Sequence, residues 1–245
     1  MQTTAEPIDA RPRPDEQMQL LFADGWPAFI TADQEAKLHI GRVREQFGDL
    51  ELVLLDGDDV IIGACWGVPI AWSGEPSTLP GGYTDAMRVA LAQHDAGVQP
   101  DTLVVMAAQV RPDRRGAGVA GELLRAMYAL AEARGWPRVV APVRPTLKTR
   151  YPLIDIDTFA GWTRDDGAPL DPWIRTHHRL GARIVATAPA SQTMTGTVAE
   201  WESWTDLALP SSGQYVIPDG LGVLTIDREA DLGTYTEPNV WMQHR

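Results

Sequence analysis

The segment Thr102–Gly135 restricts this chain more than any other stretch. Thr102 to Val110 (Thr-Leu-Val-Val-Met-Ala-Ala-Gln-Val) is a short apolar run rich in β-branched residues, which predicts a buried strand. Val119, Leu123, Leu124, Met127, Leu130 and Ala131 then recur at three- and four-residue spacing and predict a helix, ended by Gly135 and Pro137. Between them lies a loop with Gly116 and Gly118, surrounded by Arg111, Arg114 and Arg115. A strand feeding a helix through such a loop presents unpaired main-chain N–H groups at the positive end of a helix dipole. That is a ready seat for a phosphate or diphosphate, and glycine lets the main chain approach the anion with no Cβ in the way.

The spacing sets aside two common phosphate loops: no Lys-Ser/Thr pair closes it, and the three-glycine dinucleotide fingerprint is missing. Arg115-Gly-Ala-Gly118-Val-Ala120 instead resembles the Arg/Gln-x-x-Gly-x-Gly/Ala loop of the GNAT acyltransferase superfamily. The upstream strand, the Val110-x-Pro112 entry and the downstream amphipathic helix sit where that family has them. The resemblance covers about Leu103 to Ala182 by motif and the flanks by element order. It implies an α/β fold with a mixed, mostly antiparallel sheet, splayed central strands and flanking helices. It also implies acetyl-CoA as acyl donor, its diphosphate held by the amides of Arg115, Gly116, Ala117, Gly118, Val119 and Ala120. Main-chain groups of the strand around Ala108 and Val110 would then orient the thioester.

A net charge of −12 argues against non-specific binding to nucleic acid or an anionic membrane, both of which need a basic face. The cationic residues gather at Arg111, Arg114 and Arg115 and again at Arg144, Lys148 and Arg150, as a polyanionic ligand would require. Cys65 is the only cysteine, so no intrachain disulfide can form, and its setting Ile61-Ile-Gly-Ala-Cys-Trp reads as core. The N-terminal residues lack the basic-then-apolar pattern of a signal peptide, and no run of about 18 apolar residues occurs, so a cytoplasmic location is expected.

Residues 1–16 read as a flexible tail, 17–202 as the acyltransferase domain and 203–245 as an extension packed on it. Thr31 or Asp33 caps a helix running to Phe47, with Gly48 as its end. Leu50–Leu55 and Val60–Trp72 flank an Asp-Gly turn and form a hairpin. Tyr83–Ala96 is helix-compatible. Arg138–Pro145 is a strand whose Pro142 and Pro145 cannot donate to a ladder, which suits a strand leaving its neighbour. Thr146–Asp171 is a long segment of low periodicity, read as a lid or substrate-side loop. Asp171, Pro172 and Gly181 bound a short helix. Arg183–Ala188 and Ser191–Trp201 read as the closing pair of strands.

On that short helix His177 and His178 point about 100° apart, so only one can face a given site. His177 shares a face with Trp173, Ile174 and Leu180 and is the inward one. His177-His-Arg-Leu-Gly181-Ala resembles the family's Tyr-x-x-Leu-Gly-Phe element, with Ala182 in place of the phenylalanine. The resemblance places His177 where a tyrosine often protonates the departing CoA thiolate, and an imidazole can act there as acid or base. The strand that carries a glutamate base in many family members offers only Met106, Ala107, Ala108 and Gln109.

Acetyl transfer to an amine is therefore the first expectation, with a small-molecule acceptor. A second follows from the GNAT-like loading domains of polyketide synthases, which decarboxylate malonyl-CoA and pass acetyl to an acyl carrier protein using a threonine and a histidine. Thr146 and His177 would fill those catalytic roles, with Arg144 meeting the malonyl carboxylate. A non-catalytic acyl-CoA-binding module is a third. His39, His94, His177, His178 and His244 lack zinc-ligand spacing, so no metal is expected. No Gly-x-Ser-x-Gly elbow occurs. The sequence leaves the oligomeric state open.

Overall fold

The structure is a computed structural model and describes residues 3–13, 16, 17, 21 and 26–244. Its sheet runs β1 (Thr4–Pro7), β2 (Glu51–Leu55), β3 (Ile61–Ile70), β4 (Thr102–Val110), β5 (Arg138–Val143), β9 (Leu232–Gln243), β8 (Val223–Asp227) and β7 (Gly213–Val216), with β6 (Arg183–Gly196) also paired to β9. Every pairing is antiparallel except β4 with β5. The helices are α1 (Gln34–Phe47), α2 (Tyr83–Asp95), α3 (Val119–Ala133), α4 (Ile156–Ala160), α5 (Pro172–Arg179) and α6 (Val198–Thr205). Among the described residues no helix is long and apolar enough to cross a membrane.

Local chemistry accounts for most boundaries. Asp33 accepts from the Ala36 amide at 2.9 Å and starts α1. Asp56 turns the β2–β3 hairpin by accepting from the amides of Asp58 and Val60, both at 3.1 Å. Asp171 accepts from Trp173 and Ile174 at 2.8 and 2.9 Å, with Pro172 as the first residue of α5. The apolar face of α3 (Leu123, Leu124, Met127) is fully buried on β3 and β4 and forms the centre of the main core.

Three expectations are corrected. Residues 4–7 are not loose: they pair in register with Leu52–Leu55 as an edge strand, while residues 1, 2, 14 and 15 lie outside the described residues. Arg183–Trp201 is not a strand pair. One long strand, β6, continues through an irregularity between Ala188 and Gln192, and the Thr197–Glu200 capping box then starts α6. Residues 203–245 are not laid on a finished domain, because β9 sits between β5 and β8 inside the sheet and pairs with β6 along its length. The same strand supplies Tyr235 to a second core with Phe29, Trp201, Leu224 and Ile226.

Candidate active site

β4 and β5 run parallel for only three residue pairs, Thr102–Val104 against Arg138–Val140, and then part. Two local features open the gap. In β4 the register steps from Gly67↔Val105 to Trp66↔Ala107, so Met106 is an extra residue that bends the strand. In β5, Pro142 lacks an amide just past the last shared pair. The splayed strands expected from the family resemblance are present. A cavity of about 720 Å³ lies where they part.

At one end of the cavity stand Val110, Arg115 and Ala120. Gly118 precedes α3 with φ +84°, and Gly116 has φ +81°, a left-handed region costly for a residue with a Cβ. Among the described residues no side chain caps this helix, and the first-turn amides of Val119 and Ala120 have no acceptor within it. Gly116, Ala117 and Gly118 form the exposed rim, whereas the Val119 side chain belongs to the core. The cationic patch is smaller than expected: Arg111 is held by Asp113 at 2.6 Å and Arg114 by Asp56 at 3.2 Å. Arg115 is the loop arginine that reaches the cavity. Ala108 lies on the cavity wall, on the stretch of β4 that has left β5.

Thr146, Trp173 and His177 also line the cavity. His177 is buried and His178 exposed, as the helical phase predicts. The Trp173 and His177 rings meet in a T-shaped arrangement with centroids 4.4 Å apart. His177 Nδ1 lies 2.8 Å from His244 Nε2, and His244 Nδ1 is hydrogen-bonded to the Tyr128 hydroxyl. His177 Nε2 is buried and has no hydrogen-bond partner among the described residues. Burial pushes the His177 pKa well below the ordinary imidazole value, with nearby His244 adding to it, and burial brings His244 down to about 4. Both rings are neutral at pH 7.

Thr146 is exposed at the cavity edge, and its side chain caps nothing. Its place relative to His177 is set by Asp171, which accepts from the Leu147 amide at 2.6 Å while capping α5. Arg144 lines the cavity but does not present a free cation. Its Nε and one Nη meet the carboxylate of fully buried Glu237 at 2.7 and 3.1 Å, and that Nη also donates to the Asp219 carbonyl. Glu237 on β9 thus already pairs with the guanidinium that was expected to meet a substrate carboxylate. Asp33, Glu51, Lys37 and Arg44 line the cavity as well, with Trp66 and Tyr83. Burial raises the Glu51 carboxyl above the usual carboxylate range, with Arg44 pulling the other way.

Sequence reasoning missed His244, Tyr128, Glu237 and Asp33 as members of this neighbourhood. The partners of His177 stand far from it in the chain, and the alternation along β9 was the sole local sign of the strand that brings His244 in. Cys65 lines the cavity, but burial holds its thiol protonated.

No family model matches the sequence. A curated relative, the arginine N-acetyltransferase avaD of Aspergillus versicolor, is 27% identical over 89% of this chain and 84% of its own length. The loading GNATL domain of CurA from Lyngbya majuscula superposes over the whole chain and 98% of its own, with TM-score 0.59 at 16% identity. The GphF GNAT-like decarboxylase, solved with isobutyryl-CoA, does so with TM-score 0.56 at 19% identity over the same shares of the two chains.

Proposed function

We propose that this chain, which has the GNAT fold, is an acyl-CoA-dependent acyltransferase whose acceptor is an amine. The observation that carries the reading is the cavity between β4 and β5. Its lining includes Arg115 and Ala120 around the start of α3, where no side chain among the described residues caps the helix, and also His177, whose buried Nε2 has no hydrogen-bond partner among the described residues. The amides of residues 115–120 would take the diphosphate of acetyl-CoA, with Arg115 adding charge. The thioester arm would lie between the parted strands, where main-chain groups of β4 near Ala108 and Val110 polarise its carbonyl.

An amine attacks only when neutral. His177 Nε2 is suited to take the proton that the nitrogen loses and to hand it to the CoA thiolate as the tetrahedral intermediate collapses. Burial keeps that ring unprotonated at neutral pH, which is the state a base needs. The missing carboxylate on β4 is thus replaced by an imidazole on the opposite wall. The name of the curated relative supports the amine class and makes L-arginine the first acceptor to try.

The decarboxylating reading keeps one observation in its favour: Thr146 and His177 line the same cavity, and Asp171 braces the two segments that carry them. The two readings separate in one experiment. Purified protein is incubated with acetyl-CoA and L-arginine or a panel of amines, and with malonyl-CoA alone. Amine-dependent release of CoA thiol is the expected result. Release of CO₂ from malonyl-CoA with no acceptor supports the second reading, and neither product overturns both.

A further inference from the structure

The histidine on the cavity wall is one end of a continuous hydrogen-bonded chain. His177 lines the cavity and its Nε2 is buried without a hydrogen-bond partner among the described residues, His177 Nδ1 meets His244 Nε2 at 2.8 Å, and His244 Nδ1 meets Tyr128 Oη. The elements involved are α5, the segment after β9, and α3. Burial decreases along the chain: His177 is 2% exposed, whereas His244 and Tyr128 are both half-buried.

This ordering matters because a neutral Nδ1···Nε2 pair holds one proton, and which ring owns it fixes the state of the outward nitrogens. When His177 Nδ1–H donates, His177 Nε2 carries a lone pair that no donor among the described residues meets. His244 Nε2 is then the acceptor, so its own proton sits on Nδ1 and donates to Tyr128 Oη. A proton gained at His177 Nε2 would leave an imidazolium in the most buried position of the wall, where desolvation is most costly. A second ring, nearer to water, offers that charge a cheaper place.

We propose that His244 is a proton-sharing positioning residue for His177, so that the pair, and not His177 alone, holds the proton between acceptor nitrogen and CoA sulfur. As the acceptor N–H bond breaks, a bond to His177 Nε2 forms. In the same step the His177 Nδ1–H bond breaks and a bond to His244 Nε2 forms. The positive charge comes to rest on His244, whose Nδ1–H is held by Tyr128 Oη. When the thiolate leaves, the His177 Nε2 proton passes to sulfur and the shared proton returns to His177 Nδ1. One proton has moved from nitrogen to sulfur and both rings end neutral. The inference rests on the acyltransferase reading above for its chemistry, and on the ring geometry alone for the pairing.

The test has one arm that needs no turnover. In the full chain labelled with ¹⁵N at histidine, NMR is expected to show His177 protonated at Nδ1 and bare at Nε2, with scalar coupling across the hydrogen bond to His244 Nε2. The second arm is kinetic, with acetyl-CoA and L-arginine. His244→Gln can accept from His177 Nδ1–H and so keep the tautomer, but it cannot take the proton. Its kcat should fall about 10- to 100-fold with KM for acetyl-CoA unchanged. His244→Ala should be rescued by imidazole and not by pyrazole, which has the same shape and far lower basicity. Wild-type kcat in His244→Gln, or a His177 Nδ1 without a proton, overturns the proposal. A coupled pair in a protein that transfers acetyl to no amine overturns the acyltransferase reading and leaves the pairing standing.

Discussion

The loop end of the cavity is made by consecutive residues: β4 runs into the turn at Arg111–Gly118 and the turn into α3, so one short stretch carries strand, amides and helix dipole. The wall facing it is assembled from β5, α5 and β9, and its central contact joins His177 to His244, 67 positions further along the chain. The first region depends on backbone conformation and tolerates side-chain change wherever the amides stay in place. The second depends on particular side chains held by tertiary packing. Binding of donor should therefore follow the loop, and turnover should follow the wall.

That contrast can be broken at several points. The largest effect is expected from His177→Ala, with kcat reduced about 10²- to 10⁴-fold and acyl-CoA affinity unchanged, measured by steady-state kinetics beside calorimetric binding. A variant that loses affinity and keeps kcat would reverse the assignment. Next comes Glu237→Ala, which strands the Arg144 guanidinium in a buried site; losing one partner of such a pair costs about 3–5 kcal/mol, or a melting temperature roughly 10 °C lower. An unchanged melting temperature would mean that Arg144 finds another partner. Gly118→Val forces a β-branched residue into φ +84° at the start of α3. We expect acyl-CoA to bind about 10-fold more weakly, with kcat at saturation nearly intact. A kcat-only defect would detach the loop from donor binding.

The smallest effect concerns pH. His177 and His244 both have folded pKa values below the ordinary 6.5, His244 at about 4. The unfolded chain therefore binds more protons below pH 6.5, and stability falls as pH drops through the window from 6.5 to about 4. His244→Gln removes its share, so its melting temperature should decline less steeply over that range than the wild type's. Parallel slopes would show that His244 is not buried in its neutral form.

What could be read in the sequence divides along the same line. The β4–loop–α3 unit, the β2–β3 hairpin, α1 capped by Asp33 and α5 between Asp171 and Gly181 were all legible, because caps, turns and helical period act between near neighbours. The phase that points His177 inward is of the same kind. Strand partners were not legible. Residues 4–7 look like any polar tail until β2 offers its edge, and β9 looks like one more apolar run until β5 parts from β4 and leaves a place beside it. Arg144 shows why charge alone misleads: its sequence neighbours suggest a free cation, and the carboxylate that neutralises it comes from position 237.

In the proposed reaction one acyl-CoA spans both regions, with its diphosphate at the loop and its reacting carbonyl beside His177. Titration of the ¹⁵N-labelled protein with CoA and with acetyl-CoA tests this directly. Saturable shifts of the Gly116, Gly118, Val119 and Ala120 amides are expected with either ligand, and a further shift of His177 Nε2 that requires the acyl group. Shifts confined to other surfaces, or none at millimolar ligand, would contradict it.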